Sequence, residues 1–190
     1  MFNFNVIFLV GPQGSGKGTQ GKLLAEKLGF FYWDMGSILR ELIKNGGPLQ
    51  EKIAASNQGT LLSDELITEI IKENLNVNQL DPGVIFDGVP RRLIQAKFLV
   101  QFLKDQKKDK MVTIFLDLGH EDSINRLSLR AQKEKRADDT PEKIVFRLSQ
   151  YKEAIKPTLE YLKKETKFID IDGTPSIEEV SKSINTALGI

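Results

Sequence analysis

The 190-residue sequence contains no cysteine and a single histidine, His120. The first absence removes disulfides, thiolate zinc sites, redox chemistry and cysteine nucleophiles, and agrees with a reducing cytosol. The second makes any Ser-His-Asp mechanism depend on one imidazole. No stretch approaches the roughly 18 consecutive apolar residues of a membrane span. The N-terminus lacks the basic-then-apolar pattern of an export signal, so a cytoplasmic protein with no membrane partner is expected. Neither sign of charge dominates: a net charge of +1 argues against a general nucleic-acid binder, which carries a marked basic surplus. Arginine is scarce as well, with 7 residues (Arg40, Arg91, Arg92, Arg126, Arg130, Arg136 and Arg147) against 20 lysines. A planar guanidinium forks onto phosphate oxygens as an ammonium does not, so sparing use points to a particular task. No repeat, low-complexity tract or interdomain linker is visible, and one domain over 1–190 is expected. No apolar stripe or heptad stands out, which makes a monomer the expected state.

What is present alternates. Short β-branched and aromatic runs are separated by longer helical patterns, the arrangement of a parallel sheet with helices on both faces. The predicted strands are Val6–Val10, Phe30–Trp33, Val84–Phe86, Val112–Asp117 and Phe168–Ile171. The predicted helices are Lys17–Leu28, Ser37–Asn45, Asp64–Asn74, Ile94–Lys108, Glu121–Glu134, Pro141–Lys164 and Ile177–Leu188. Thr140 before Pro141, and Ser63 before Asp64 and Glu65, are start signals; Gly46-Gly47-Pro48 and Asp81-Pro82-Gly83 are breakers.

Between the first strand and the first helix lies GPQGSGKGTQ, residues 11 to 20. A strand, a glycine-rich turn and a helix place backbone N–H groups around an anion at the positive helix end. The spacing from Gly11 through Gly16 to Lys17 fits a phosphate-binding loop, with Lys17 placed to reach the outer phosphates. A hydroxyl normally follows that lysine directly; here Gly18 intervenes and Thr19 comes next.

GSGKGTQ with this displaced hydroxyl resembles the adenylate kinase and wider nucleoside monophosphate kinase family, and the resemblance continues along the chain. FDGVPRRLIQA at 86 to 96 is similar to the family's Asp-Gly-aromatic-Pro-Arg segment followed by a glutamine. RLSLR at 126 to 130 looks like its paired arginines, and RADDTPEKIVFRL at 136 to 148 like its Arg-x-Asp-Asp element with a further arginine. GSILRE at 36 to 41 and GTLLSDEL at 59 to 66 match segments around the monophosphate, and DIDGTPSIEEV at 170 to 180 fits the final strand and helix. Six of the seven arginines fall on positions where these motifs themselves call for arginine; Arg92, although inside the 86 to 96 segment, is the one left over. The resemblance implies a three-layer α/β/α P-loop kinase with a five-stranded parallel sheet.

The resemblance also implies roles. Gly14, Ser15, Gly16, Lys17, Gly18 and Thr19 would cradle the phosphates of ATP, with Lys17 bridging the β and γ phosphates and Thr19 near magnesium. Arg126 would stack on the ATP base, Arg130 would reach phosphate, and Pro175 would lie beside ATP. Arg40 and Arg91 would hold the phosphate of AMP; Arg136 and Arg147 would swing onto the reacting groups. Asp87 would hold a water on Mg2+. Asp138 and Asp139 would orient neighbouring arginines, not bind metal directly. Water has to be excluded or ATP is hydrolysed, so closing segments are expected: 34–63 over the monophosphate, and a short lid at 131–135 with no thiolate zinc cluster.

Gln95 is the best discriminator of the acceptor. Its amide offers a donor and an acceptor at the spacing of one adenine edge, and the family's glutamine at this position marks AMP. Met35 stands where the resemblance leads one to expect a threonine hydroxyl, and Val89 where it leads one to expect an aromatic. Thr60, Leu61, Leu62, Gly88, Val89 and Pro90 would complete the AMP site. The expected reaction is reversible transfer between MgATP and AMP giving two ADP. The alternatives are a UMP/CMP or broad-specificity kinase and a non-catalytic nucleotide-binding module. Against a GTP switch, no guanine-reading Asn-Lys-x-Asp motif occurs.

Overall fold

A computed structural model describes residues 2–56, 62–134 and 140–190. Five strands, β1 (Val6–Val10), β2 (Phe31–Asp34), β3 (Val84–Asp87), β4 (Met111–Asp117) and β5 (Lys167–Asp172), form one parallel sheet in the order β2-β3-β1-β4-β5. The α-helices are α1 (Lys17–Leu28), α2 (Met35–Asn45), α3 (Pro48–Ser56), α4 (Asp64–Asn74), α5 (Leu93–Asp105), α6 (His120–Glu134), α7 (Pro141–Glu165) and α8 (Ile177–Leu188), with a short 3₁₀ turn at Val77–Leu80.

Period-two alternation sorts the strand residues between two cores. Val6, Phe8 and Val10 of β1, with Val84 and Phe86 of β3, face one way and pack with Ile67, Ile70 and Leu99 from α4 and α5. Ile7, Leu9, Ile85, Ile114 and Leu116 face the other way and meet Leu24 of α1 and Val180, Ile184 and Leu188 of α8. All of β1 is therefore buried and reads as a continuous apolar run, as a strand covered on both sides must. Helices cover both faces, giving the three layers.

Strand β1 has the predicted limits, β2 is shifted by one residue to Phe31–Asp34, and β3, β4 and β5 run one or two residues longer than predicted. Helix α2 starts at Met35, before the predicted Ser37, because Asp34 accepts hydrogen bonds from the Gly36 and Ser37 amides and caps it. Helix α3 was not expected. Its Pro48 directly follows the Gly46-Gly47 break, and a proline is accepted at a first helical position, where its missing N–H has no helical partner to lose. Helix α5 stops at Asp105, short of the predicted Lys108: Lys107 takes a left-handed φ of 59°, and the Lys108 amide closes back onto the Leu103 carbonyl at 2.8 Å.

The strand order sets the position of the site. The chain leaves β1 through α1 toward β2, on one side, and leaves β4 through α6 and α7 toward β5, on the other. Opposite exits open a crevice beyond the carboxyl ends of the strands, where open α/β sheets bind ligands.

Candidate active site

The carboxyl ends of all five strands lie along that crevice. The loop after β1 is held tightly: a Cβ on Gly11 would meet the Leu116 carbonyl oxygen at 2.4 Å and the Ser15 Oγ at 2.8 Å. Gly16, at φ 93°, is the N-cap of α1 and supplies no side chain to its orphan N–H groups, which leaves them for an anion. Ser15 is buried, Gly14, Gly16, Gly18 and Lys17 are partly buried, and Thr19 lies exposed in the first turn of α1. The Lys17 ammonium turns back onto its own loop, donating to the Gly11 and Pro12 carbonyls at 2.7 Å each and to Ser15 Oγ at 3.4 Å. Burial pushes its pKa down to about 8. The Asp87 carboxylate opposes the shift, and the charges of Arg91 and Arg130 add to it. These groups therefore share one electrostatic neighbourhood.

Asp87 ends β3 and is itself buried, its Oδ2 accepting from the Tyr32 hydroxyl at 2.6 Å. Burial first, then the adjacent carboxylate, raises the Tyr32 pKa, so the phenol stays a donor. Past Asp87 the chain runs through Gly88, Val89 and Pro90 to Arg91, whose Nε donates to the Gly88 carbonyl at 3.0 Å. Burial lowers the Arg91 pKa while Asp87 works against that, and the Arg147 charge also acts on it. Gln95, 4% exposed, uses both ends of its amide: Oε1 accepts from the Arg91 backbone N–H at 2.9 Å, and Nε2 donates to Asp64 Oδ1 at 2.8 Å. Met35 is 2% exposed and Val89 1%, and both belong to the larger core. Leu62 packs partly buried against that core. Arg40 is exposed on α2, donates to Ser37 Oγ at 2.8 Å and lies 3.5 Å from Asp34.

The arginines of α6 and α7 approach from the β4 and β5 side. Arg126 donates to the Thr174 carbonyl at 2.9 Å, which sets it beside the exposed Pro175 in the loop after β5. Arg130 follows one turn later, and Arg147 on α7 donates to the Lys143 carbonyl at 3.3 Å. Lys17, Gly88, Pro90 and Arg91 line one small cavity together with Gln13 and Tyr151. Arg136, Asp138, Asp139, Thr60 and Leu61 lie outside the described residues. Of the segment 131–135, residues 131–134 form the last turn of α6. The sequence did not mark Gln13, Tyr32 or Tyr151, and it marked Asp64 only as a helix start signal, not as a site residue. Gln13 sits inside the quoted loop, and Tyr151 stands one turn after Arg147 on the same helix face.

Among the described residues no group of three or more His, Asp or Glu side chains could hold a metal by itself. The one buried carboxylate here, Asp87, would stand within about a van der Waals contact, 3.7 Å, of a Cβ placed on Gly18 of the loop. That donor set suits a hard cation delivered on nucleotide phosphates and held through water, as magnesium usually is.

The adenylate kinase family model matches residues 9–167. Among curated proteins, the adenylate kinase of Thermus thermophilus is 38% identical over 186 residues, covering 97% of each chain. That of Bacteroides fragilis is 37% identical over 183 residues, 96% of this chain and 97% of its own. That of a Caulobacter species is 35% identical over 187 residues, 97% and 98%. With its loop, sheet order and nearly full-length likeness in agreement, the chain belongs to the adenylate kinase family.

Proposed function

We propose that the chain transfers the terminal phosphoryl of MgATP reversibly to AMP, giving two ADP, as a monomeric cytoplasmic enzyme. The observation that carries this is the shared cavity. Lys17, from the loop after β1, and Arg91, from the loop after β3, line the same small space, so a phosphate held by one faces a phosphate held by the other. Two polyanions brought end to end need positioning and spread positive charge more than covalent chemistry. The acceptor's second pKa is about 6, so it is largely ionised near neutral pH and no strong general base is required.

Lys17 would leave the Gly11 and Pro12 carbonyls and move onto the β and γ phosphates as the N–H groups of Gly14, Ser15, Gly16, Gly18 and Thr19 close around them. Arg126 and Pro175 would flank the ATP base, with Arg130 on phosphate. Arg91 and Arg40 would hold the AMP phosphate, and Arg147 with Arg136 would close onto the reacting groups. Magnesium supplies neutralisation of the nucleotide charge, and Asp87, kept in place by Tyr32, would orient its water. Segments 34–63 and 131–135 would close to exclude solvent.

A broader acceptor range is the second reading, and a specific observation favours it. Met35 is buried and apolar, and the Gln95 amide is already committed to Asp64 and Arg91, so reading adenine requires Gln95 to exchange Asp64 for the base. A coupled assay with AMP, CMP, UMP and GMP at equal concentration decides between the readings. Fastest turnover with AMP is expected. Equal rates across the panel remove AMP selectivity, and no turnover with any of them removes the kinase reading in favour of nucleotide binding alone.

A further inference from the structure

Six buried side-chain polar atoms make no hydrogen bond among the described residues, and three of them belong to two residues of one cavity: Gln13 Nε2, Gln13 Oε1 and Tyr151 Oη. Orphaned buried polar groups are rare in native structures because each forfeits its hydration without replacement. Half of those in the described chain therefore fall where the mechanism brings phosphates together. Tyr151 is 8% exposed, and burial raises its pKa, with the Arg91 charge working against that. The phenol is thus a neutral donor beside the partly buried Arg91 guanidinium. Resting on the phosphoryl-transfer reading above, we propose that Gln13 and Tyr151 are two further phosphate-contacting residues, uncharged donors that seat one non-bridging oxygen of the acceptor's phosphate between Lys17 and Arg91.

The size of the space fixes what enters it. The cavity leaves about 10 Å³ for the centre of a water-sized group, room for roughly one oxygen atom. A whole phosphate does not fit, but a single phosphoryl oxygen pointing inward does. Its lining assigns that oxygen to the acceptor: beyond β1 and its loop, the walls are Tyr151 and the segment Gly88, Val89, Pro90 and Arg91, which is placed on the acceptor side. Neutral donors also suit this position. The Arg91 charge already lowers the pKa of Lys17. A third cation in the cavity would discharge the lysine further, whereas an amide and a phenol add hydrogen bonds without that repulsion.

The test uses Tyr151→Phe and Gln13→Leu, which remove the donors with little change in volume. Affinities for ATP, AMP and adenosine are measured by titration calorimetry, beside kcat/KM for AMP at saturating ATP. Each variant is expected to lose about tenfold or more in kcat/KM and in AMP affinity, the usual cost of a missing hydrogen bond to a charged group. Adenosine, which lacks the phosphate, and ATP should bind both variants within about twofold of wild type. A parallel loss for AMP and adenosine identifies a structural role and overturns the proposal, as does an unchanged AMP affinity in both variants. Wild-type turnover reports separately on the reading beneath: if the parent chain phosphorylates no monophosphate, that reading falls, and the AMP-to-adenosine ratio still decides whether these two side chains hold phosphate.

Discussion

The charge state of Lys17 is the most sensitive feature at the scale of single residues. With its pKa lowered to about 8, the ammonium begins to discharge just above neutral pH, and phosphate binding recharges it. ATP affinity should therefore fall as pH rises past 8, with uptake of a proton on binding, measurable by calorimetry in buffers of different ionisation enthalpy. A flat affinity and no proton uptake would contradict the burial argument. The same shift acts on folding: between pH 8 and 10.5 the unfolded chain binds more protons at this lysine than the folded chain does, so its contribution to stability rises with pH across that window. Tyr32 titrates with the opposite sign. Its pKa is raised above the ordinary 10.0, so the stability it contributes is complete below pH 10 and is lost above it. Tyr32→Phe should cost about 2 kcal/mol in chemical denaturation near neutral pH, typical of a hydrogen bond to a charged partner. It should also raise the magnesium concentration needed for half-maximal rate. An unchanged magnesium dependence would separate Asp87 from the metal. The sequence showed Lys17, Arg91 and Gln95, whose types and spacing announce phosphate and base contacts. It did not show Tyr32 or Tyr151, because a buried aromatic has the same signature whether its hydroxyl is used or idle, and only the fold reveals what lies beside it.

Elements were legible where local chemistry and packing agree. Helices α1, α4 and α8 have the predicted limits, each with a glycine or serine at its N-cap. Helix α8 carries a full capping box, Ser176 Oγ accepting from the Glu179 amide while the Glu179 carboxylate accepts from the Ser176 N–H at 3.0 Å. Ser176→Ala should cost about 1 kcal/mol, read as a lower thermal midpoint with little change in kcat. A loss of activity at unchanged stability would mean that the neighbouring Thr174–Pro175 loop depends on the cap. Gly21 tests the packing of α1 in the same way. A Cβ there would lie 2.4 Å from the Tyr32 ring and 2.8 Å from Leu9, so Gly21→Ala should destabilise by about 1–3 kcal/mol through overpacking, against the gain expected from helix propensity. Helix α3 was missed because the preceding glycines read as the end of all structure, when they end only α2. The end of α5 was overrun because a left-handed lysine at 107 leaves no mark in composition.

At the scale of the whole molecule, the alternation of strands and helices carried the architecture, and the parallel sheet then placed the carboxyl ends of all five strands along one edge. The division of labour follows from that edge. Arg91→Ala should reduce kcat/KM for the acceptor by two orders of magnitude or more while leaving the affinity for ATP within a few fold, since the backbone N–H groups of the β1 loop, which would hold the ATP phosphates, do not belong to the segment that carries Arg91. Equal losses for both nucleotides would show one merged site. The most direct measurement of the central claim, that two nucleotide phosphates meet between Lys17 and Arg91, is a single-turnover reaction of the chain with AMP and ATP labelled at its terminal phosphorus. The label is expected in the β position of newly formed ADP, with little released as inorganic phosphate. Label found mainly as inorganic phosphate, or retained in ATP, would contradict it.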